Sequence, residues 1–414
     1  METESMTAVA IGTLGTNDYM EVKYRFPDGQ TIASSYPIHA LIQRKQLKID
    51  QTIILLTEAA RARNWEMLEL YLKDHTSAAQ IRGISIKDGA NESELWDIFE
   101  AITQAVPEDA ELYIDITHGL RHLPMLLIMA CAYLRTAKNV AIRSISYGAF
   151  ELGKKEKRLI DGRERDIVVE CEIFELLPFV TLFDWANATS AMQRTGDAGF
   201  LAHLLRQTGD GLPSEAGAQL EEVASCLDRV TLALDLNRPE EAMREAQALR
   251  SELKAGIPHL RQFAKPFSLL SQLIDATFTK ISLPPARIST LRERLRAQRR
   301  MIDWYMDKGR VALASLLARE WVISRFMQEQ GKSDISDRKK RREAGESLTD
   351  KPGQRATPTA KALHQVWIKH GLAHMRNEIA HAGQSGTQPV PANKIKQRLE
   401  AALKELDKLG TEDH

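Results

Sequence analysis

Cysteine is scarce in this chain. Cys131, Cys171 and Cys226 are its three cysteines, and they are scattered, with no C-x-x-C spacing and no histidine at ligand distance. That argues against a structural zinc and fits a reducing cytosol. An excess of one charge is also missing: Lys+Arg 56 balances Asp+Glu 56, so nothing overall marks a constitutive nucleic-acid coat, and any such contact must be local. Long apolar runs are absent too. The longest, Leu123–Leu134, falls short of the ~20 residues needed to span a bilayer. The first residues show no basic-then-apolar leader, so a soluble cytoplasmic protein without a membrane partner is expected. There is no G-x-G-x-x-G and no P-loop lysine-serine pair, which removes the usual dinucleotide and nucleoside-triphosphate signatures.

What is present divides into two patterns. Short apolar runs at Thr7–Ile11, Thr52–Leu56, Ile81–Ile86, Glu111–Ile116, Ala141–Tyr147 and Ile167–Phe174 read as strands. Helical patterns at Ala60–Lys73, Ser93–Ala105 and Leu123–Ala137 lie between them, with Asn91 and Glu94 as a capping box and Pro107 as a stop. The βαβαβα order predicts an α/β domain over residues 1–178, a mostly parallel sheet with helices on both faces. Val22–Phe26 and Thr31–Ser35 flank Pro27-Asp28-Gly29 as a hairpin.

After Pro178 the β pattern vanishes, and residues 179–414 are expected to be all-α. Leu220–Leu236, Pro239–Leu253, Leu260–Phe278, Arg287–Arg300 and Val311–Phe326 read as helices, followed by one from about Ala360 and an amphipathic helix at Lys394–Leu409. Lys332–Pro358 loses periodicity and carries the basic run Arg338–Arg342, so it reads as a mobile loop, solvated or else guiding RNA.

Ligands of open α/β sheets collect at the carboxyl ends of strands. Two loops qualify. The first strand runs into Gly12-Thr13-Leu14-Gly15-Thr16-Asn17-Asp18-Tyr19, where Gly15 allows close approach and Thr16, Asn17 and Asp18 offer hydrogen bonds. An ordinary capped turn is the bland alternative there. The fourth strand runs into Thr117-His118-Gly119-Leu120-Arg121-His122, with Pro124 in the first helical turn. Three basic or titratable side chains at one break between apolar elements are costly without a partner. Arg121, with a protonated His118 or His122, would suit a phosphate-bearing ligand.

A second constellation is Arg376-Asn377-Glu378-Ile379-Ala380-His381. Metal-free RNA cleavage needs proton transfer, which His381 can supply, and charge stabilisation, which Arg376 can supply. On a helix Asn377 and His381 stand at i and i+4, so Asn377 could orient the imidazole, and Gly383 would mark the helix end. A two-fold dimer would bring two such sets to one cleft. The alternatives are a solvated face of Arg376, Glu378 and His381, or a metal site, which the absence of a carboxylate pair disfavours.

Gly12-Thr13-Leu14-Gly15-Thr16 with Asp18-Tyr19, and Asp115 through Pro124, resemble the signature loops of CRISPR-associated Rossmann-fold (CARF) domains. Arg376-Asn377 with His381 resembles the R-N-x-x-x-H motif of HEPN ribonucleases. Order, spacing and length are similar to the CARF–HEPN ancillary ribonucleases of type III CRISPR antiviral systems, apart from Lys332–Pro358 and the helices of Leu220–Phe278. The resemblance implies a Rossmann-like sensor domain followed by an all-α HEPN-like domain. It implies an allosteric activator, cyclic tetra-adenylate among cyclic oligoadenylates, bound across two CARF domains of a homodimer or higher homo-oligomer. It further implies metal-independent cleavage of single-stranded RNA, with little sequence discrimination, to a 2′,3′-cyclic phosphate, with no cofactor. A cyclic-nucleotide-responsive transcription regulator and a non-enzymatic sensor with a helical partner-binding domain are the other readings, although no recognition helix for duplex DNA stands out.

Overall fold

The computed structural model describes residues 6–74, 80–160, 163–283, 290–332, 334–384 and 389–408. The chain divides into two compact units, residues 1–182 and 183–414.

The first unit is built on β1 (Ala8–Thr13), β2 (Val22–Arg25), β3 (Thr31–Ser34), β4 (Gln51–Leu56), β5 (Ile81–Ser85), β6 (Glu111–Asp115), β7 (Ala141–Gly148), β8 (Lys154–Ile160) and β9 (Arg163–Glu175). Its main helices are α1 (Pro37–Ile42), α2 (Glu58–Ala60), which runs through a π-helical turn at Arg61–Trp65 into α3 (Glu66–Lys73), α4 (Glu92–Ala105) and α5 (His122–Ala137). The strand order is β3-β2-β9-β7-β6-β1-β4-β5, with β8 beside β9. From β7 to β5 every pairing is parallel. Beyond β7 the sheet turns mixed: β9 runs antiparallel to β7, β8 antiparallel to β9, and β2 parallel to β9.

Alternation along the central strands builds two cores. Val9, Ile11, Ile53, Leu55 and Ile114 pack with Ile98, Ile102, Leu123 and Leu127 of α4 and α5. Ala10, Ile54 and Leu56 pack with Ile38, Leu41, Leu68 and Leu72 of α1 and α3. Strands covered on both faces read as continuous apolar runs, which is why they stand out in the sequence. The forward half of the capping box forms, Asn91 Oδ1 accepting from the Glu94 N–H at 3.0 Å, while the return bond falls one residue before the N-cap, Glu94 Oε2 accepting from the Ala90 N–H at 2.9 Å. Strand β8 was not foreseen. Its sequence, KKEKRLI, has no apolar alternation, because the pairing with β9 is made by backbone groups on an exposed ribbon.

The second unit is helical: α6 (Leu177–Val180) precedes it, and α7 (Leu182–Thr195) leads into α8 (Gly199–Gly209), α9 (Ser214–Asp235), α10 (Pro239–Ala255), α11 (Ile257–Phe263), α12 (Lys265–Thr279), α13 (Leu291–Asp307), α14 (Val311–Glu329), α15 (Arg338–Ser347), α16 (Pro358–Ile368), α17 (Leu372–Ala380) and α18 (Ala392–Asp407). The expected start at Arg287 and end at Leu409 lie outside the described residues. Two buried aromatics have their polar tips satisfied: Tyr305 Oη donates to Leu234 O at 2.8 Å, and Trp321 Nε1 to Leu295 O at 2.7 Å, whereas the buried Nε1 of Trp304 has no protein partner.

Two expectations are corrected here. Leu260–Phe278 is two helices, broken at Ala264 (φ −125°, ψ 53°) just before Pro266, which has no N–H to continue the ladder. Lys332–Pro358 is not a loop throughout, since α15 occupies its middle. Asp337 caps that helix by accepting from the N–H groups of Lys339 (2.8 Å) and Lys340 (2.9 Å), and Ala344 and Leu348 are buried. Among the described residues no helix is long and apolar enough to cross a membrane.

Candidate functional site

In the first unit the parallel strands diverge in connection between β1 and β6, where one chain direction leads to β4 and β5 and the other to β7. The loops leaving these two strands therefore face one crevice. Gly12 is in register with Asp115, so the loops start level with each other. Thr13 Oγ1 donates to the carbonyl of His118 and ties them together. Gly119 has φ 110°, a conformation closed to side chains, and a Cβ there would come within 2.9 Å of Thr13 Oγ1.

The first loop is held from below. Gly15 N–H donates to Tyr19 Oη at 2.8 Å, and Asn64 Nδ2 donates to the carbonyls of Gly15 and Asn17, both at 2.9 Å. Arg63 pairs with Asp18 at 2.7 Å and holds its carboxyl below the usual carboxylate range. The second loop is held by Asp115. Its Oδ1 accepts from Thr117 Oγ1 at 2.5 Å and Thr117 N at 3.2 Å, and Thr117 Oγ1 accepts from Gly148 N at 2.8 Å. Complete burial pushes Asp115 up to about 6, against those two hydrogen bonds.

A cavity of about 480 Å³ opens between the loops. It is lined by Asn17, Asp18, Thr117, His118, Gly119 and Arg121 from the sequence-predicted set. Its other wall comes from Tyr147, Phe150, Ile167 and Val168, with the Glu151 carboxylate, which accepts from Tyr147 Oη at 3.2 Å, among them. Sequence reasoning missed that wall, because it depends on β9 lying beside β7. Gly15, Thr16 and His122 are not on the lining. Gly15 sits against Gly119, where a Cβ would lie 3.5 Å from the Gly119 nitrogen. His122 turns toward the loop after β5, so close that a Cβ on Gly89 would meet its Nε2 at 2.5 Å.

The electrostatic expectation for His118 is also corrected. Its ring packs edge-on to Tyr19 at 4.8 Å and tilted against Phe150 at 5.1 Å, and desolvation pushes its pKa down to about 4. It is therefore neutral near pH 7. Its Nε2 is buried without a protein partner, as is Asp115 Oδ2. Arg121, by contrast, is exposed and offers its charge at the cavity mouth.

In the second unit, α17 carries Arg376 and Asn377, and His381 is its C-cap. Leu372, Met375 and Glu378 form the buried face, so Glu378 does not share a solvated face with Arg376 and His381. Glu378 Oε2 accepts from Val390 N at 3.3 Å, and its Oε1 lies 3.9 Å from His374 Nδ1. Arg376 Nη1 donates to Asn377 Oδ1 at 3.2 Å. Asn377 thus positions the arginine rather than the imidazole, whose backbone N–H bonds Asn377 O at 2.9 Å. The helix closes by a Schellman arrangement: Gly383 N–H donates to Glu378 O at 2.8 Å, and Ala382, at φ 51°, takes the left-handed position. Among the described residues no three His, Cys, Asp or Glu side chains gather as a metal site would require.

The first unit is thus a doubly wound α/β domain with a ligand-sized pocket at its switch point. Residues 9–151 match the family model described as the CARF domain of the CRISPR system endoribonuclease Csx1. Residues 181–284 match the second domain of the CRISPR-associated protein MJ1674. The CRISPR-associated protein MJ1674 of Methanocaldococcus jannaschii is 22% identical over 191 residues, which is 43% of this chain and 26% of that protein. The chain therefore matches about a quarter of that relative's length. The first unit is of the CARF type, and the likeness is to CRISPR-associated proteins.

Proposed function

We propose that the chain is a cyclic oligoadenylate-activated, metal-independent endoribonuclease that cuts single-stranded RNA in type III CRISPR defence, acting in the cytoplasm as a homodimer. The observation that carries this reading is the likeness of residues 9–151 to the CARF domain of an endoribonuclease, together with the polar pocket at its switch point.

In the sensor, the exposed Arg121 and the backbone around Gly119 would meet ligand phosphates. Tyr147, Phe150, Ile167 and Val168 would take the flat faces of adenines. A two-fold ligand such as cyclic tetra-adenylate would bridge two protomers. It activates only by binding the active arrangement more tightly than the resting one.

In the effector, the ribose 2′-oxygen attacks phosphorus as its proton passes to a base, the bond to O5′ breaks, and O5′ takes a proton. The products are a 2′,3′-cyclic phosphate and a 5′-hydroxyl. His381 is assigned the proton transfers, Arg376 the charge on the phosphorane, and Asn377 the positioning of Arg376.

The test is incubation of the full chain with labelled single-stranded RNA in EDTA, with and without cyclic tetra-adenylate. Cleavage should depend on the nucleotide and fall by about 10²–10⁴-fold in Arg376→Ala or His381→Ala. Arg121→Ala should raise the nucleotide concentration needed. Full activity of His381→Ala would overturn the assignment, and binding of duplex DNA without RNA cleavage would favour a regulator instead.

A further inference from the structure

Arg376 and Arg341 line one cavity of about 530 Å³ within the helical unit, and Ile335 and Ser336, on the approach to α15, line it with them. The first turn of α15, which carries Arg338, Lys339 and Lys340, is therefore set beside the cavity that Arg376 borders. We propose that the exposed cations of α15, Arg338, Lys339, Lys340 and Arg342, form a strip that binds the phosphates of single-stranded RNA and guides the strand toward Arg376. The proposal deepens the ribonuclease reading of Arg376 and His381 and rests on it.

A run of consecutive cations ordinarily repels itself and stays unfolded. Here other groups fold it onto the unit. Asp337 caps the helix, and Arg341 turns inward, with Nη2 at 2.6 Å from Glu320 Oε2 and Nη1 donating to Ser324 Oγ and Ile335 O, both at 2.9 Å. Ala344 is buried, Gly345 lies against Trp367 and Ile323, and His364 Nδ1 shares a hydrogen bond with Leu348 O at 2.8 Å. Helix α14 packs against both α15 and α17, the helix of Arg376. One helix thus holds the strip and the candidate catalytic arginine in a single frame.

The cations left on the outside have no partners to match those of Arg341. Arg338 and Lys339 are exposed and, among the described residues, meet no carboxylate at ion-pair distance. Lys340 reaches Asp334 only at 3.9 Å and Arg342 reaches Glu346 only at 3.8 Å, in both cases between exposed side chains. Such pairs contribute little and are screened by salt, so a phosphate can replace them. Cations in a first helical turn also oppose the helix dipole, and no acidic residue of that turn offsets them. The charge therefore works against the helix and suits an external polyanion. The contact would be made by side chains, since Asp337 already takes the N–H groups of Lys339 and Lys340. In a chain whose total charge balances, nucleic acid must be held by a local strip of this kind. Single-stranded RNA is favoured over an acidic protein because the strip borders the cavity of Arg376, the group assigned to the phosphorane.

The experiment compares the full chain with two triple variants of equal charge. One is Arg338→Ala with Lys339→Ala and Arg342→Ala, which keeps the Arg341 anchor. The other, a control, is Lys254→Ala with Arg261→Ala and Lys265→Ala, three exposed cations of α10, α11 and α12. Binding of labelled single-stranded RNA is followed by fluorescence anisotropy in EDTA at several salt concentrations, and cleavage is measured with cyclic tetra-adenylate. The strip variant should bind at least about tenfold more weakly, and its slope of log affinity against log salt should be shallower by about two, at roughly 0.7 for each of the lost phosphate contacts. Its KM should rise with kcat held, and the control should match wild type. Glutamine at the same strip positions, which keeps most of each stem, should repeat the result if the alanine variant melts early. Unchanged affinity and salt slope in the strip variants, an equal loss in the control, or equal competition by duplex DNA overturns the strip while leaving RNA cleavage intact. RNA binding that the strip variants lose, in a protein that cuts no RNA, would instead sink the ribonuclease reading and keep the strip.

Discussion

Thr13 and His118 lie 105 residues apart in sequence, yet the Thr13 hydroxyl donates its hydrogen bond to the His118 carbonyl. That bond joins the loop after β1 to the loop after β6 across the mouth of the crevice, and Gly119 leaves the room for it. The shape of the pocket therefore depends on a contact between two strand ends, not on either loop alone.

Breaking that contact should loosen the pocket of the first unit before it harms the helical unit. Gly119→Ala forces a side chain into φ 110° and against Thr13, at about 1–3 kcal/mol of strain. Thr13→Val removes the bond at about 1 kcal/mol. Calorimetric titration with cyclic tetra-adenylate should give at least tenfold weaker binding for Gly119→Ala and a smaller loss for Thr13→Val. Wild-type affinity in both would show that the loops are positioned by other means.

The buried pair beneath the pocket predicts a pH signature. His118 has a folded pKa of about 4, below its free value, so the unfolded chain binds more protons and the contribution of His118 to stability is lost as pH falls from about 6.5 toward 4. Asp115 is raised to about 6, so the folded chain binds more protons and its contribution is lost as pH rises from about 4 to about 6. The two slopes oppose each other over that window. Asp115→Asn keeps the acceptor for Thr117 and should unmask the histidine, giving a variant that loses on the order of 2 kcal/mol more than wild type between pH 7 and pH 4.5. Equal slopes in urea titrations of both proteins would refute it.

The end of the candidate catalytic helix stores strain. Ala382 takes φ 51°, where an alanine costs about 1 kcal/mol that a glycine does not. Ala382→Gly should therefore stabilise the helical unit by about 1 kcal/mol in chemical denaturation. A loss of stability would mean that the Ala382 methyl group makes a contact worth more than its strain.

Within the basic run, one arginine should matter to folding and its neighbours should not. Arg341 reaches Glu320, Ser324 and the Ile335 carbonyl, so Arg341→Ala should cost about 1–3 kcal/mol. Arg338 and Lys339 are exposed, and alanine at either should stay within about 0.5 kcal/mol. Equal effects at all three positions, read by thermal melting, would contradict the anchoring role of Arg341.

Much of the first unit was legible because burial on both faces leaves an apolar run, as at Ala8–Thr13 and Gln51–Leu56. Ribbon strand β8 was not, since an exposed Lys154–Ile160 bears no pattern that distinguishes strand from loop. Helix α15 hid for a related reason: its buried anchors are Ala344 and, at its C-cap, Leu348, in a charged stretch, and its start depends on the Asp337 cap. The mouth residues Asn17, Thr117, His118 and Arg121 could be named from strand ends, whereas His122 could not be told apart from them.

Read alone, the order of residues determined the alternation of strands and helices, the break after β6 at Thr117–Arg121, and the Arg376–His381 spacing, because periodicity and turn chemistry act over a few neighbours. Only the folded chain decided that β9 would bring Ile167 and Val168 to the pocket, that His118 would be neutral, and that Asn377 would hold Arg376 instead of His381. Those outcomes depend on desolvation and on contacts between segments far apart in the chain, and neither is written in local sequence.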